Sequence, residues 1–243
     1  MPRRAPMLDV AARLRAGESV SDGEFDGVFT SETESVSFRH WTPVTVARRA
    51  ARLLVDAGAT EILDVGAGPG KLCIVGALTT EARFTGLEQR PHLVEQAWTA
   101  AAKLAADRAR FVHGNLLDFD CTPFDGFYFF NPFQEQIEDD EAYPIDKTIE
   151  RSPELHKTYV ASATAALIRA PVGTVVVTFH GLGGPMPSHY RCVHRERTFA
   201  ADLAVWVREE RAKVSPRGLS PPADDAPPDI SVRRTESGFP HRG

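Results

Sequence analysis

The sequence predicts an α/β protein. It would form a doubly wound, mainly parallel seven-stranded sheet with a C-terminal antiparallel hairpin and an N-terminal helical extension. Two observations carry this expectation. From residue 42 onward, apolar strand-like runs alternate with helix-length segments, as in a parallel sheet covered on both faces. Near the end, "YRCVHRERTF" and "DLAVWVREE" are strand-like and joined by a tight connection, which makes them an antiparallel hairpin.

The elements follow in order. Met7 to Ala16 forms a short amphipathic helix with Leu8, Ala11, Ala12 and Leu14 on its apolar side. "SVSDGEFDGVFTSETES" is acidic, rich in Gly and Ser, and reads as a loop. In "HWTPVTVARRAARLLVDAGA", Thr42 is placed as an N-cap, Pro43 at the first helical position and Gly58 at the close. Val44, Ala47, Ala51 and Leu54 face inward. "EILDVG" is strand, "KLCIVGALT" helix and "RFTGLE" strand. "PHLVEQAWTAAAKLAAD" is a helix with Leu93, Ala97, Trp98, Ala101, Leu104 and Ala105 along one face. "ARFVHG", "FDGFYFFN" and "GTVVVTFHG" are strands, with a helix from Ser152 to Ala170 before the last. The organisation is therefore an extension over 1–40, a domain over 41–212 and, rich in Pro, Ser and charge, a disordered tail over 213–243.

Bulk properties narrow the function. With 243 residues the chain can bury a full core, and a formal net charge of −5 argues against a general nucleic-acid binder. Cys73, Cys121 and Cys192 are the three cysteines. Their spacing supports neither a disulfide framework nor a metal site, so they read as reduced and mostly buried thiols. No segment reads as a secretory signal or a membrane span, and the expected location is cytoplasmic.

The chemistry concentrates in "EILDVGAGPGK", Glu61 to Lys71. A phosphate-binding loop fails here, because Leu72 follows Lys71 where Ser or Thr is required and Val65 stands five before Gly70. A dinucleotide turn fails at its third glycine, which comes one residue early with Lys71 in its place. Tyr143-x-x-x-Lys147 echoes a dehydrogenase dyad, but Pro144 spoils the helix such a dyad needs.

"ILDVGAGPG" resembles the first motif of class I S-adenosylmethionine-dependent methyltransferases, and Asp64, Gly66, Gly68 and Gly70 match it position by position. The resemblance covers about Trp41 to Glu210. It implies a Rossmann-like fold, S-adenosylmethionine as cofactor and a glycine turn around its amino-acid half. Glycines suit this, since the backbone can approach without side-chain clashes. Glu88 ends the second strand, where a carboxylate can accept from both ribose hydroxyls. After the third strand, the resemblance places the Asn115 side chain and the Leu116 backbone at the adenine, with Asp118 the alternative if the loop is shifted.

After the fourth strand come Asn131, Pro132 and Phe133. They are similar to the Asn/Asp-Pro-Pro-aromatic pattern of enzymes that methylate nitrogens, one proline short. "GLEQRPHLVEQA" and "HGNLLDF" also resemble the seven-strand histone-lysine methyltransferases that lack a SET domain. Asn131 would orient a nitrogen acceptor, with Phe133 and Tyr128 as apolar walls. His180 at the end of the fifth strand is a candidate base. His40 and Trp41 stand where the family closes over the cofactor. The acidic run Gln134 to Asp146 favours a cationic acceptor. The expected partner is a small molecule or protein side chain rather than nucleic acid or membrane. Two rivals remain: a nicotinamide-dependent oxidoreductase, and a non-catalytic S-adenosylmethionine-binding protein.

Overall fold

The computed structural model describes residues 7–138, 145, 148–198 and 201–210. The chain divides into a unit over Met1–Arg211 and a second one from Ala212. The second unit, which includes the expected tail, lies outside the described residues, as do Tyr143 and Lys147 and much of the acidic run.

The sheet is built from β1 (Glu61–Val65), β2 (Arg83–Glu88), β3 (Ala109–His113), β4 (Gly126–Phe130), β5 (Val175–Phe179), β6 (Tyr190–Arg197) and β7 (Asp202–Arg208). Their order is β3-β2-β1-β4-β5-β7-β6. The first five pair in parallel, and β7 joins β5 and β6 antiparallel. Chain order reverses between β1 and β4, so a crevice opens at the carboxyl ends of those strands, where ligands enter sheets of this kind.

Helices cover both faces. Helices α5 (Val44–Asp56), α6 (Lys71–Thr79) and α7 (Pro91–Leu104) share one core with Ile62, Phe84, Tyr128, Val175 and Val177. On the opposite face α8 (Pro153–Arg169) buries Tyr159, Ala163 and Leu167 against Leu63, Phe127, Phe129 and Val176. On α7, Leu93, Ala97, Ala101 and Leu104 are buried as expected, but Trp98 is 48% exposed and Ala105 turns outward as the C-cap at φ 50°. Trp98 still leans its edge on Phe111, 5.6 Å between ring centres.

The N-terminal segment departs from the expected loop. After α1 (Met7–Arg15) come three short helices, α2 (Asp22–Asp26), α3 (Ser31–Ser35) and α4 (Ser37–His40). On α1 the buried residues are Val10, Ala11 and Leu14, while Ala12 is exposed. A capping box starts α2: Ser21 accepts from the Glu24 backbone N–H and Glu24 accepts in return from that of Ser21. Phe25 and Val28 then enter the same core as α5 and α6. Such short helices persist through that burial rather than through propensity.

Thr42 does not cap α5. Its hydroxyl bonds to that of Tyr128 at 3.1 Å. The Val44 N–H is met instead by the Asp22 carboxylate, 22 residues upstream, at 2.8 Å. Cys73 is buried, whereas Cys121 and Cys192 are half-buried, and all three are free thiols. Among the described residues, no helix is long and apolar enough to cross a membrane.

Candidate active site

The turn between β1 and α6 has Gly66, Gly68 and Gly70 at φ 75°, 55° and 80°, a left-handed conformation that glycine adopts without strain. Space demands glycine as well. A Cβ on Gly66 would come within 2.9 Å of the Pro132 side chain, and one on Gly68 within 2.7 Å of the Trp41 ring. Trp41 is fixed by its indole N–H, which donates to the Thr33 carbonyl at 3.1 Å. The extension thus places an aromatic ring directly against the glycine turn.

Beside this turn lies a cleft of about 430 Å³. Gly66, Glu88, Asn115, Leu116, Asn131, Phe133 and His180 line it, together with Trp41 and Tyr159. Gly68 and Gly70, expected at the cofactor, are not among the residues lining it: Gly68 faces the Trp41 ring, and Gly70 faces Phe111 and Ala97. Glu88 is buried, and its two carboxylate oxygens accept from the Gly68 and Arg90 backbone N–H groups, each at 3.0 Å. Burial pushes its pKa up, and the Arg90 guanidinium 3.5 Å away opposes that. Each oxygen has two lone pairs, so both can still accept from a ligand hydroxyl.

Asn115 follows β3. Its carbonyl oxygen accepts from the Leu117 N–H at 3.0 Å, and its amide donates to the Tyr159 hydroxyl at 2.7 Å. The side chain is therefore fixed with one oxygen lone pair to spare, and the Leu116 backbone is beside it.

Asn131 and His180 follow the adjacent strands β4 and β5, whose last residues, Phe130 and Phe179, are register partners. Both sit at positive φ, 41° and 59°, and the Asn131 N–H donates to the Gly181 carbonyl at 3.1 Å. Such conformations are uncommon outside glycine and cost energy, so the surrounding structure has to hold them. His180 packs on Phe130 and Phe179, with ring centres 5.4 and 4.6 Å away, and partial burial lowers its pKa. A neutral imidazole at neutral pH can accept a proton. Phe133 stacks on Tyr159 at 5.5 Å with the rings 8° from parallel.

Two further expected positions lie elsewhere. Tyr128 is no wall of the cleft: it pairs with Asp64 in the β1–β4 register and is fully buried on the α5–α6 side. Asp64 does not line the cleft; it is 4% exposed, and the Cys73 thiol donates to it at 3.6 Å. Burial pushes its pKa up to about 7. Lys71 also turns away from the cleft. At 2% exposure it is held by Asp22 at 2.5 Å, Asp26 at 2.7 Å and the Ser37 hydroxyl at 3.3 Å, fastening the extension to the start of α6.

The residues present fit a ligand with adjacent hydroxyls, a planar base and a charged chain: an acid, a fixed amide and, at Gly66, a glycine turn that borders the cleft. Comparison with known proteins agrees. Residues 56–159 match the family described as a methyltransferase domain, a span reaching from the end of α5 through the glycine turn and β4 into α8. Over that span the chain carries a methyltransferase domain, and S-adenosylmethionine is the cofactor such a domain calls for. Lys71, committed to the extension, gives the dinucleotide reading no support.

Solved structures agree on the fold. An RNA methyltransferase from Salinibacter ruber, in complex with S-adenosylhomocysteine, superimposes with a TM-score of 0.50 at 21% identity, covering 72% of this chain and 97% of that one. TrmN from Thermus thermophilus gives 0.51 at 16% identity over 71% of this chain. The chain spans about half of TrmN, 51% of its length. A search of curated proteins returns no significant match.

Proposed function

We propose that this enzyme transfers the methyl group to a nitrogen, on a small molecule or a protein side chain. The observation that carries the proposal is the paired strand ends: Asn131 and His180 emerge from neighbouring strands in constrained left-handed conformations at one cleft. In this reading Glu88 accepts from the ribose hydroxyls, the Asn115 carbonyl and the Leu116 N–H meet the adenine, and Gly66, Gly68 and Gly70 admit the amino-acid portion. Asp64 acts from beneath the turn, through water. It makes no direct contact with the ammonium, because its side chain faces Cys73.

The cofactor supplies an already activated methyl group. The chain's own task is to hold an acceptor lone pair in line and exclude water, which can supply ~7–11 kcal/mol. The Asn131 side-chain oxygen orients an N–H of the acceptor. Phe133 provides an apolar wall, and His180, whose pKa partial desolvation lowers, takes the proton that the acceptor loses. A protonated amine must shed a proton before its lone pair can attack, and a neutral amine sheds one after the transfer, so a base held neutral suits an amine better than an acceptor that is already anionic.

The test is transfer of labelled methyl from S-adenosylmethionine to panels of small amines, lysine-containing peptides, phenols and transfer RNA. Labelling of amines or lysine side chains is the expected result. Labelling confined to RNA or to phenolic oxygen would overturn the nitrogen reading and leave the methyltransferase assignment intact.

A further inference from the structure

Asn131 and Phe133 stand on the acceptor side of the cleft, Glu88 and Asn115 on the cofactor side, and an unbroken chain of polar contacts joins the two. The Asn115 amide donates to the Tyr159 hydroxyl at 2.7 Å, and that hydroxyl donates to the Gln89 side-chain oxygen at 3.4 Å. The Gln89 amide donates to Glu135 at 3.4 Å. Glu135 also receives both Arg90 terminal nitrogens, at 2.5 and 3.3 Å, in a two-point pair of the kind that fixes geometry as well as charge. Arg90 is buried, and its backbone N–H closes the circuit on Glu88. A second tie runs through rings, because Phe133 stacks on the same Tyr159 whose hydroxyl holds Asn115.

We propose that Glu135 and Tyr159 are positioning residues that fix the acceptor loop, residues 131–138, to the cofactor side, so that filling the cofactor site orders the acceptor pocket. This rests on the reading of Glu88 and Asn115 as cofactor contacts. Glu135 fits the role by its place. It belongs to the 3-10 turn Gln134–Gln136 directly after Phe133, yet its charge is spent on Arg90 across the cleft. Tyr159 fits it by bifunctionality, one edge polar and one face stacked. Neither touches the transferring group, and neither is a catalytic residue. A ligand that engages Glu88 and Asn115 restrains one end of this circuit, and coupling of that sort must be reciprocal in binding.

Amide hydrogen exchange reads the coupling without knowledge of the acceptor. In the full chain, saturating S-adenosylhomocysteine should slow exchange across residues 131–138 by about tenfold. This is the size of coupling typical between sites. Glu135→Gln, which keeps size but loses the charge, and Tyr159→Phe, which keeps the ring stack but loses the hydroxyl, should each still bind it. Both should lose most of that protection, with Kd raised by no more than the factor lost. A merely structural role would speed exchange equally with and without ligand. That result, or wild-type protection retained in both variants, would overturn the proposal. Absence of loop protection in the wild type at saturation would overturn it too. Failure of the wild type to bind S-adenosylhomocysteine by calorimetry would instead remove the cofactor-site reading beneath it.

Discussion

Lys71 Nζ lies 2.7 Å from Asp26 Oδ1 and is almost wholly buried, so the first residue of α6 fastens the N-terminal extension to the glycine turn. The ammonium also meets Asp22, which caps α5 through the Val44 N–H. One cation therefore holds three elements together: α2, α5 and α6. What the extension brings to the cleft is Trp41, against Gly68, and Phe38, which is 71% exposed at its rim.

Lys71→Met removes the cation and leaves Asp26 buried without it. Breaking a buried ion pair from one side costs about 3 kcal/mol or more, so the melting temperature should fall by roughly 6–12 °C. The loss should be larger at pH 8 than at pH 5. Burial already pushes the Asp26 carboxyl upward, and at the lower pH it can take a proton instead of standing as an uncompensated charge. Thermal melts of wild type and variant at both pH values check this; equal loss at both would contradict it.

Glu88→Ala should weaken S-adenosylmethionine binding on the order of 10- to 100-fold, one charge-assisted hydrogen bond or more. It also leaves the Gly68 and Arg90 N–H groups without their acceptor, so some melting temperature is lost with it. Glu88→Gln keeps an acceptor oxygen for one of them and should lose less of both. Titration calorimetry measures the affinity. An unchanged Kd in Glu88→Ala would remove this residue from the ribose site.

Asp64→Asn isolates the acid beneath the turn. Its carboxyl is raised from the ordinary range to about 7, so in the folded state the neutral form is favoured. The stability this gives is fully present below the unfolded pKa and is lost as pH rises through about 7. The amide stays neutral throughout. The variant, without ligand, should therefore gain on the wild type as pH rises from 5 to 7, by up to about 1.4 kcal/mol per unit. Denaturant unfolding at three pH values tests it, and a constant difference would show that Asp64 does not titrate in this range.

Gly68→Ala tests the fit of the extension. The new methyl would meet Trp41 at 2.7 Å, in a backbone conformation that disfavours any side chain. Strain of this kind costs about 1–3 kcal/mol. Quenching or a shift of tryptophan fluorescence, with weaker cofactor binding, is expected. A variant with wild-type melting and emission would mean that the ring yields freely.

The sheet and its helices were legible because each signal is local. β2, α6 and the helix after Ser152 are set by apolar period and by Pro or Gly at their ends. The site residues on strand ends followed from those strands. The alternation of β4 should have excluded Tyr128 from the cleft, since the strand pairs Asp64 with Tyr128 and turns both to the α6 side. The segment after α1 reads as a loop because its helices are too short to show periodicity. The Ser21-x-x-Glu24 box was the one local sign of α2. Lys71 with Asp26, Arg90 with Glu135 and Asn115 with Tyr159 left no sign at all. These contacts join residues about 45 apart in the chain, and no short window of sequence contains both partners.

His180 supplies the sharpest test of the proposed chemistry once an acceptor is in hand. Packing against Phe130 and Phe179 favours the neutral imidazole, so its pKa lies below the usual 6.5. Neutral imidazole is the basic form, and turnover should hold as pH falls toward 6.5 and drop only below it. A positioned base contributes typically 10²- to 10⁴-fold, so His180→Gln should lower turnover by at least about 100-fold and abolish that acid limb. Asn131→Ala should lower turnover while preserving both the limb and the affinity for S-adenosylmethionine, because it orients the acceptor and takes no proton. The pH–rate profile of all three proteins separates the roles. An acid limb unchanged in His180→Gln would assign the titration to the acceptor itself, whose own deprotonation would then be all the chemistry requires.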